Sequence, residues 1–229
     1  MSVEENNRNA IIGLLTDKAS LKQDIADYSQ EIMALFTETM RKELTSLEAD
    51  ITDIRVRMRM EEKGKYEFRI FIGSDALIFQ LHRNVFRLPD ENPMWKAAYL
   101  KDDESRGYFG IINIYNFLAE SFEQNRSNDP GYLIGRVFMN KERHFMVEGK
   151  GQLGFLFRDL QGSEINEGIV QRILQIAMAY ALEFDLITPP YEMIQEVSLM
   201  QIQHISSNLH VATGKRLGFK FGTDNENVF

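Results

Sequence analysis

An α+β fold is what this sequence predicts: a long N-terminal helix, an antiparallel or mixed sheet, and a second, buried helix packed on one face. Three observations carry that expectation. Apolar residues recur at steps of three and four from Leu21 to Ile51. The period then falls to two across Ile54, Val56, Met58 and Met60, and again across Tyr66, Phe68, Ile70 and Ile72. A broader helical stripe returns from Ile165 to Phe184. Helices project side chains with a period near 3.6 and strands with a period of two, so the change of period marks a change of element.

The first helix is expected over residues 20–50, after a short opening helix from Asn9 to Leu15. Ser20-Leu-Lys-Gln23 matches a capping box, in which Ser20 accepts from the Gln23 amide and the Gln23 side chain reaches back. Ile25, Ile32, Phe36, Met40 and Leu44 lie on one stripe, while Lys22, Asp27, Glu31 and Glu43 fall mainly elsewhere. A heptad register seeded at Leu21 drifts off the stripe and places Thr39 and Lys42 in the seam. That drift suits a straight helix lying on a core rather than a supercoil. Such a helix is about 45 Å long. A globule of this size is about 45 Å across, so the helix is expected as a lid over the sheet.

The two alternating runs predict a hairpin around Lys63-Gly64-Lys65. A three-residue loop there sets Met60 opposite Phe68 and Met58 opposite Ile70, keeping one face apolar. The same register puts Arg69 opposite Arg59. Leu77–Leu81 is expected as a third strand, and residues 84–107 as a long connection with one helical turn. Tyr108–Tyr115 reads as a strand and Phe117–Gln124 as a short helix. Leu133–Met139 and Arg143–Val147 read as a second hairpin, and Gln152–Arg158 as a further strand. Gly162-Ser163 is expected to open the buried helix, with Val197–Ile205 and Leu217–Phe221 as late strands. No repeat or linker divides the chain, so residues 1–229 are expected to form one domain.

Composition narrows function by exclusion. The formal charge is −8 and there is no cysteine. The acidic balance opposes binding to nucleic-acid backbones and anionic membranes, so neither is expected as a partner. The lack of cysteine removes disulfides, thiol nucleophiles and cysteine-ligated metals. The N-terminal residues carry no secretory pattern, and no apolar run reaches the roughly 20 residues of a membrane span. A cytoplasmic protein is expected, with no cofactor.

The candidate sites are few. Arg55, Arg57 and Arg59 alternate along the first predicted strand, with Arg69 facing them, which suits either an anionic ligand or a solvated face. Trp95 sits in the long connection with Met94 and Tyr99, where it suits anchoring a partner, lining a ligand pocket or plugging one side of the core. Glu148-Gly-Lys150, with Asp129 upstream, resembles the core of the PD-(D/E)xK nucleases. There a carboxylate pair holds a divalent metal and the lysine serves the attacking water. Gly149-Lys-Gly151 and Gly214-Lys215 fall short of a phosphate loop, and His82, His144, His204 and His210 show no ligand spacing. The helix–sheet–helix layout is similar to that of GAF-like sensory domains, a likeness of layout that implies no ligand. A non-enzymatic ligand-binding or regulatory module is the leading expectation, taking a small anionic ligand or a protein partner, possible also as a homodimer. A metal-dependent nuclease using Asp129, Glu148 and Lys150 is the alternative.

Overall fold

The computed structural model describes residues 3–162 and 164–185, and beyond them only Thr188, Pro190, Tyr191, Leu199 and Met200. Of the expected late strands, Leu217–Phe221 lies outside the described residues. So does Val197–Ile205, apart from Leu199 and Met200, which are helical.

The chain opens with helix α1 (Val3–Gly13), a π-helical turn (Leu14–Ala19) and helix α2 (Ser20–Asp50), which follow without a break. Ser20 therefore caps nothing. Its backbone is helical (φ −58°, ψ −50°), and the Gln23 side chain donates to Asp27 Oδ1 at 2.8 Å instead of reaching back. Thr16 to Ala19 contain neither glycine nor proline, so nothing there ends the helix. A wider π turn absorbs the phase change. From Val3 to Asp50 the helical run is about 70 Å long. That exceeds the globule, and residues 4–12 and 14–20 are exposed. Only α2 is a lid.

The strands are β1 (Met58–Glu62), β2 (Glu67–Ile72), β3 (Asp75–Leu81), β4 (Phe86–Arg87), β5 (Tyr108–Leu118), β6 (Tyr132–Met139) and β7 (Phe145–Gly149). They form one sheet in the order β1-β2-β3-β5-β6-β7, with β4 paired to β5, and every pairing is antiparallel. Alternation decides the faces. Phe68, Ile70 and Ile72, then Leu77, Phe79 and Leu81, then Ile112 and Ile114, point inward to one core with α2. Phe68 and Phe79 stack at 4.7 Å between ring centroids. Gly110 allows the close approach of α2 to β5, because a Cβ there would overlap the Ser29 hydroxyl.

The first hairpin keeps the predicted face and moves its register. Met60 pairs with Ile70 and Met58 with Ile72. The loop is three residues long but runs from Gly64 to Tyr66, closed by the Lys63 amide donating to the Glu67 carbonyl at 2.8 Å. Gly64 takes φ +82°, which glycine adopts at little cost. The shift puts Arg69 opposite Glu61 and Arg59 opposite Phe71. The like-charge pair expected from sequence is thus replaced by an opposite-charge pair, the better cross-strand choice.

Two further corrections concern residues 150–167. Gln152–Leu156 is helix α5, not a strand. Gly151 (φ +53°) turns the chain off the sheet, and Leu153 packs fully buried beside Gly149. The chain then returns along the edge of β7, where the Val147 amide donates to the Phe157 carbonyl at 2.7 Å. The buried helix, α6 (Glu167–Leu182), begins at Asn166, whose side chain accepts from the Ile169 amide at 3.1 Å. Val170, Ile173, Leu174, Ala177, Met178 and Ala181 are its buried stripe. Polar contacts tie it to α2: Lys42 to Glu167 at 2.7 Å, and Gln171 and Gln175 to the Glu43 carboxylate at 2.6 and 2.8 Å.

The outer face is covered unevenly. The connection from 84 to 107 holds β4, a 3-10 turn (Pro93–Lys96), helix α3 (Ala98–Asp102) and a second 3-10 turn (Glu104–Gly107), more structure than the single helical turn expected. Its Leu88, Tyr99 and Leu100 bury Phe109, Ile111, Phe138 and Met146. Helix α4 (Ala119–Glu123) covers Phe71 and Ala76 farther along. No helix among the described residues is long and apolar enough to cross a membrane.

Candidate functional site

A cleft of about 690 Å³ lies where α2 ends and β1 begins, and Arg55, Arg57 and Arg59 all line it. They do not reach it from one strand. The Asp53 carbonyl accepts from the Val56 amide at 3.0 Å and its carboxylate accepts from the Arg55 amide at 3.0 Å, so residues 53–56 form a turn. Strand β1 accordingly starts at Met58, four residues later than Ile54, which is 92% exposed. Only Arg59 lies on the strand. The alternation of arginines brings them together, but around the mouth of a cleft rather than along a ladder.

Each arginine has a different environment. Arg55 is held by Asp53, with Nη2 to Oδ2 at 2.6 Å, and these bonds hold the Asp53 carboxyl below its usual range. The Arg59 guanidinium lies 3.6 Å from the Phe71 ring centroid, with Glu61 at 3.2 Å and Glu123 at 3.6 Å. Arg57 is exposed and has no ion pair among the described residues. Phe71, Gly73, Ala119 and Glu123 complete the far wall. These four come from β2, the β2–β3 turn and α4. Sequence reading missed them because only tertiary packing brings them beside the arginines.

Chemically the cleft offers planar guanidinium forks next to an aromatic face. Guanidinium groups match carboxylate and phosphate oxygens in pairs. Glu48, Asp53 and Glu123 also line the cleft, so it is not a simple positive field. Exposed ion pairs are worth only about 0–1 kcal/mol, so an incoming anion can displace them cheaply.

The other predicted residues lie elsewhere. Arg69 sits on β2 with Glu67 at 2.6 Å and Phe122 under its guanidinium, outside the cleft lining. Trp95 is half-buried in the connection; its indole donates to the Pro89 carbonyl at 2.8 Å, Arg87 lies over its ring, and the ring presses on Gly107. It closes one side of the outer core.

Asp129 binds Arg126 and Ser121, at 3.0 and 2.6 Å. Glu148 binds Arg136 across β6 and β7, and Lys150 follows in the turn, its amide bonded to the Ile134 carbonyl at 2.9 Å. Asp129 lines a different cleft from Glu148 and Lys150, and no three metal-ligating side chains cluster among the described residues. The reason is local. Asp129 closes its own turn with Arg126, three residues before it, and that guanidinium is buried. His82 packs on Phe86 and accepts from the Asn84 amide, whereas His144 meets the Tyr99 hydroxyl. Gly214-Lys215, His204 and His210 lie outside the described residues.

One polar cluster had no sequence signal. The Tyr99 hydroxyl lies 2.8 Å from Asn140 Nδ2, 2.9 Å from Glu142 Oε2 and 2.8 Å from His144 Nδ1. Arg106 donates to Glu142 and to the Tyr99 carbonyl, and Lys141 pairs with Asp103 at 2.5 Å. Burial, reinforced by Glu142, pushes the Tyr99 hydroxyl up to about 12. Each of these groups is satisfied within the cluster, which clamps the connection to the β6–β7 turn. Comparison with family models, with curated proteins and with solved structures finds no match for this chain, and the expected likeness to GAF-like domains is not confirmed.

Proposed function

We propose that this protein is a binding module for an anionic ligand or an acidic segment of a partner, taken in the cleft at the end of α2. Arg55, Arg57 and Arg59 meet the charge, and an apolar part of the ligand lies against Phe71. The observation that carries this reading is the convergence of three arginines on one cleft, one of them with no ion pair among the described residues. The overall acidity gives the reading selectivity, since the remaining surface repels anions.

The test uses inorganic pyrophosphate and a short acidic peptide as probes, with binding followed by calorimetry and thermal shift at low salt. Binding is expected with the unaltered chain. Arg57→Ala should weaken it about 10- to 150-fold, the loss of one charge-assisted contact of about 1.5–3 kcal/mol. Its unfolding free energy should stay within about 0.5 kcal/mol, as for an exposed side chain. Equal binding by Arg57→Ala, or no binding of either probe, would overturn the reading.

A further inference from the structure

We propose that the helical segment from Val3 to Asp24 is a homodimer interface, in which the same segment of a second copy lies antiparallel about a two-fold axis at the level of Gly13. Among the described residues, 4–24 are exposed except for Gly13 and Leu21, which are half-buried; Lys22 lies over the Tyr108 ring, and full burial begins at Ile25. Yet its middle is apolar: Ile11, Ile12, Leu14 and Leu15 are 57%, 48%, 59% and 63% exposed. Four large apolar side chains within five residues of one exposed helix lower the free energy when covered.

The pattern specifies what covers them. Ile-Ile-Gly-Leu-Leu reads alike in both directions by size and polarity. A two-fold interface is self-complementary: if residue i meets residue j, then j meets i. About Gly13, Ile11 faces Leu15 of the second copy and Ile12 faces its Leu14. Glu4 reaches the level of Lys22, pairing opposite charges at both ends. Arg8 falls at the level of Lys18 and Asp17, so the carboxylate offsets the like charge there.

This proposal is independent of the arginine cleft, which lies at the opposite end of α2, and its failure would leave that reading intact.

The full chain contains no cysteine, so single cysteines report geometry without background. Sedimentation equilibrium should give a dimer at concentrations on the order of 100 µM, above the micromolar dissociation constants of small interfaces. Leu14→Asp should be monomeric over the same range with unchanged circular dichroism. Glu4→Cys with Lys22→Cys should cross-link into covalent dimers under mild oxidation, and Glu4→Cys alone should not. A monomeric mass for the unaltered chain would overturn the proposal. So would efficient cross-linking through Glu4→Cys alone, which marks parallel helices.

Discussion

Tyr99 links the long connection to the β6–β7 turn. Its ring is buried, and its hydroxyl joins Asn140, Glu142 and His144, three side chains from one turn. Replacing it with phenylalanine keeps the ring and strands those partners. The expected cost of Tyr99→Phe is about 1–3 kcal/mol, the penalty for leaving buried polar groups unsatisfied, measured by urea unfolding. A cost near zero would mean that water replaces the hydroxyl without loss. Nothing in the sequence points to this group. Tyr99 is 41 positions from Asn140 and 45 from His144, and no spacing rule relates a connection to a distant turn. The arginines were legible for the opposite reason. Arg55, Arg57 and Arg59 are neighbours in the chain, so local order suffices to gather them, while Phe71 and Glu123 arrive at the same cleft only through the fold.

Ser20 sets the test for the elements. In a helix that starts there, Ser20→Ala costs about 1 kcal/mol through loss of the cap. Within the continuous helix from Val3 to Asp50 it should change stability by less than about 0.5 kcal/mol. Thermal unfolding of the variant distinguishes the two outcomes. The sequence showed where apolar faces lie better than where elements stop. The β1–β2 hairpin has the predicted parity, because alternation fixes which side is buried, but a register two places away, because the backbone pairing of Lys63 with Glu67 fixes the loop. Residues 152–158 alternate like a strand at Leu153, Phe155 and Phe157. They turn into α5 because Gly149, Gly151 and Gly154 surround them: Gly151 takes positive φ, and a Cβ on Gly154 would strike the Gly149 carbonyl. Three glycines in six residues were the available sign that the ladder ended there.

For the whole molecule, charge links stability to pH. Lys141 and Ser105 hold the Asp103 carboxyl far below its usual range. At Glu142 burial pushes upward, but hydrogen bonds from Arg106 and Tyr99 prevail and the value is lowered; at Glu61 the Lys63 bond lowers it. These carboxyls bind protons less readily folded than unfolded. Their contribution is therefore full above the unfolded values of about 4, and is lost as pH falls through the folded ones. Burial pushes the Tyr28 and Tyr99 hydroxyls up to about 12, so their share is present below about 10 and is lost as pH rises through that higher range. The melting temperature is expected to be flat near neutrality and to fall on both sides. A melting temperature unchanged between pH 5 and pH 3 would show that the paired carboxyls add nothing.

The joining of α2 to α6 also governs how the chain reaches this state. Lys42 and Glu167 are 125 positions apart, and Glu43 and Gln175 are 132. The contacts that finish the core of α2 close loops of more than half the sequence. Such closure must be paid for in chain entropy before the packing rewards it, which makes folding slow. During synthesis α2 is made early, but its mate α6 emerges only after β1 to β7. Throughout that interval the side of α2 that α6 will cover, around Met40 and Leu44, has no native cover from α6. A nascent chain of this protein thus carries a long amphipathic helix awaiting its partner, and that interval is when it is most exposed to capture or aggregation.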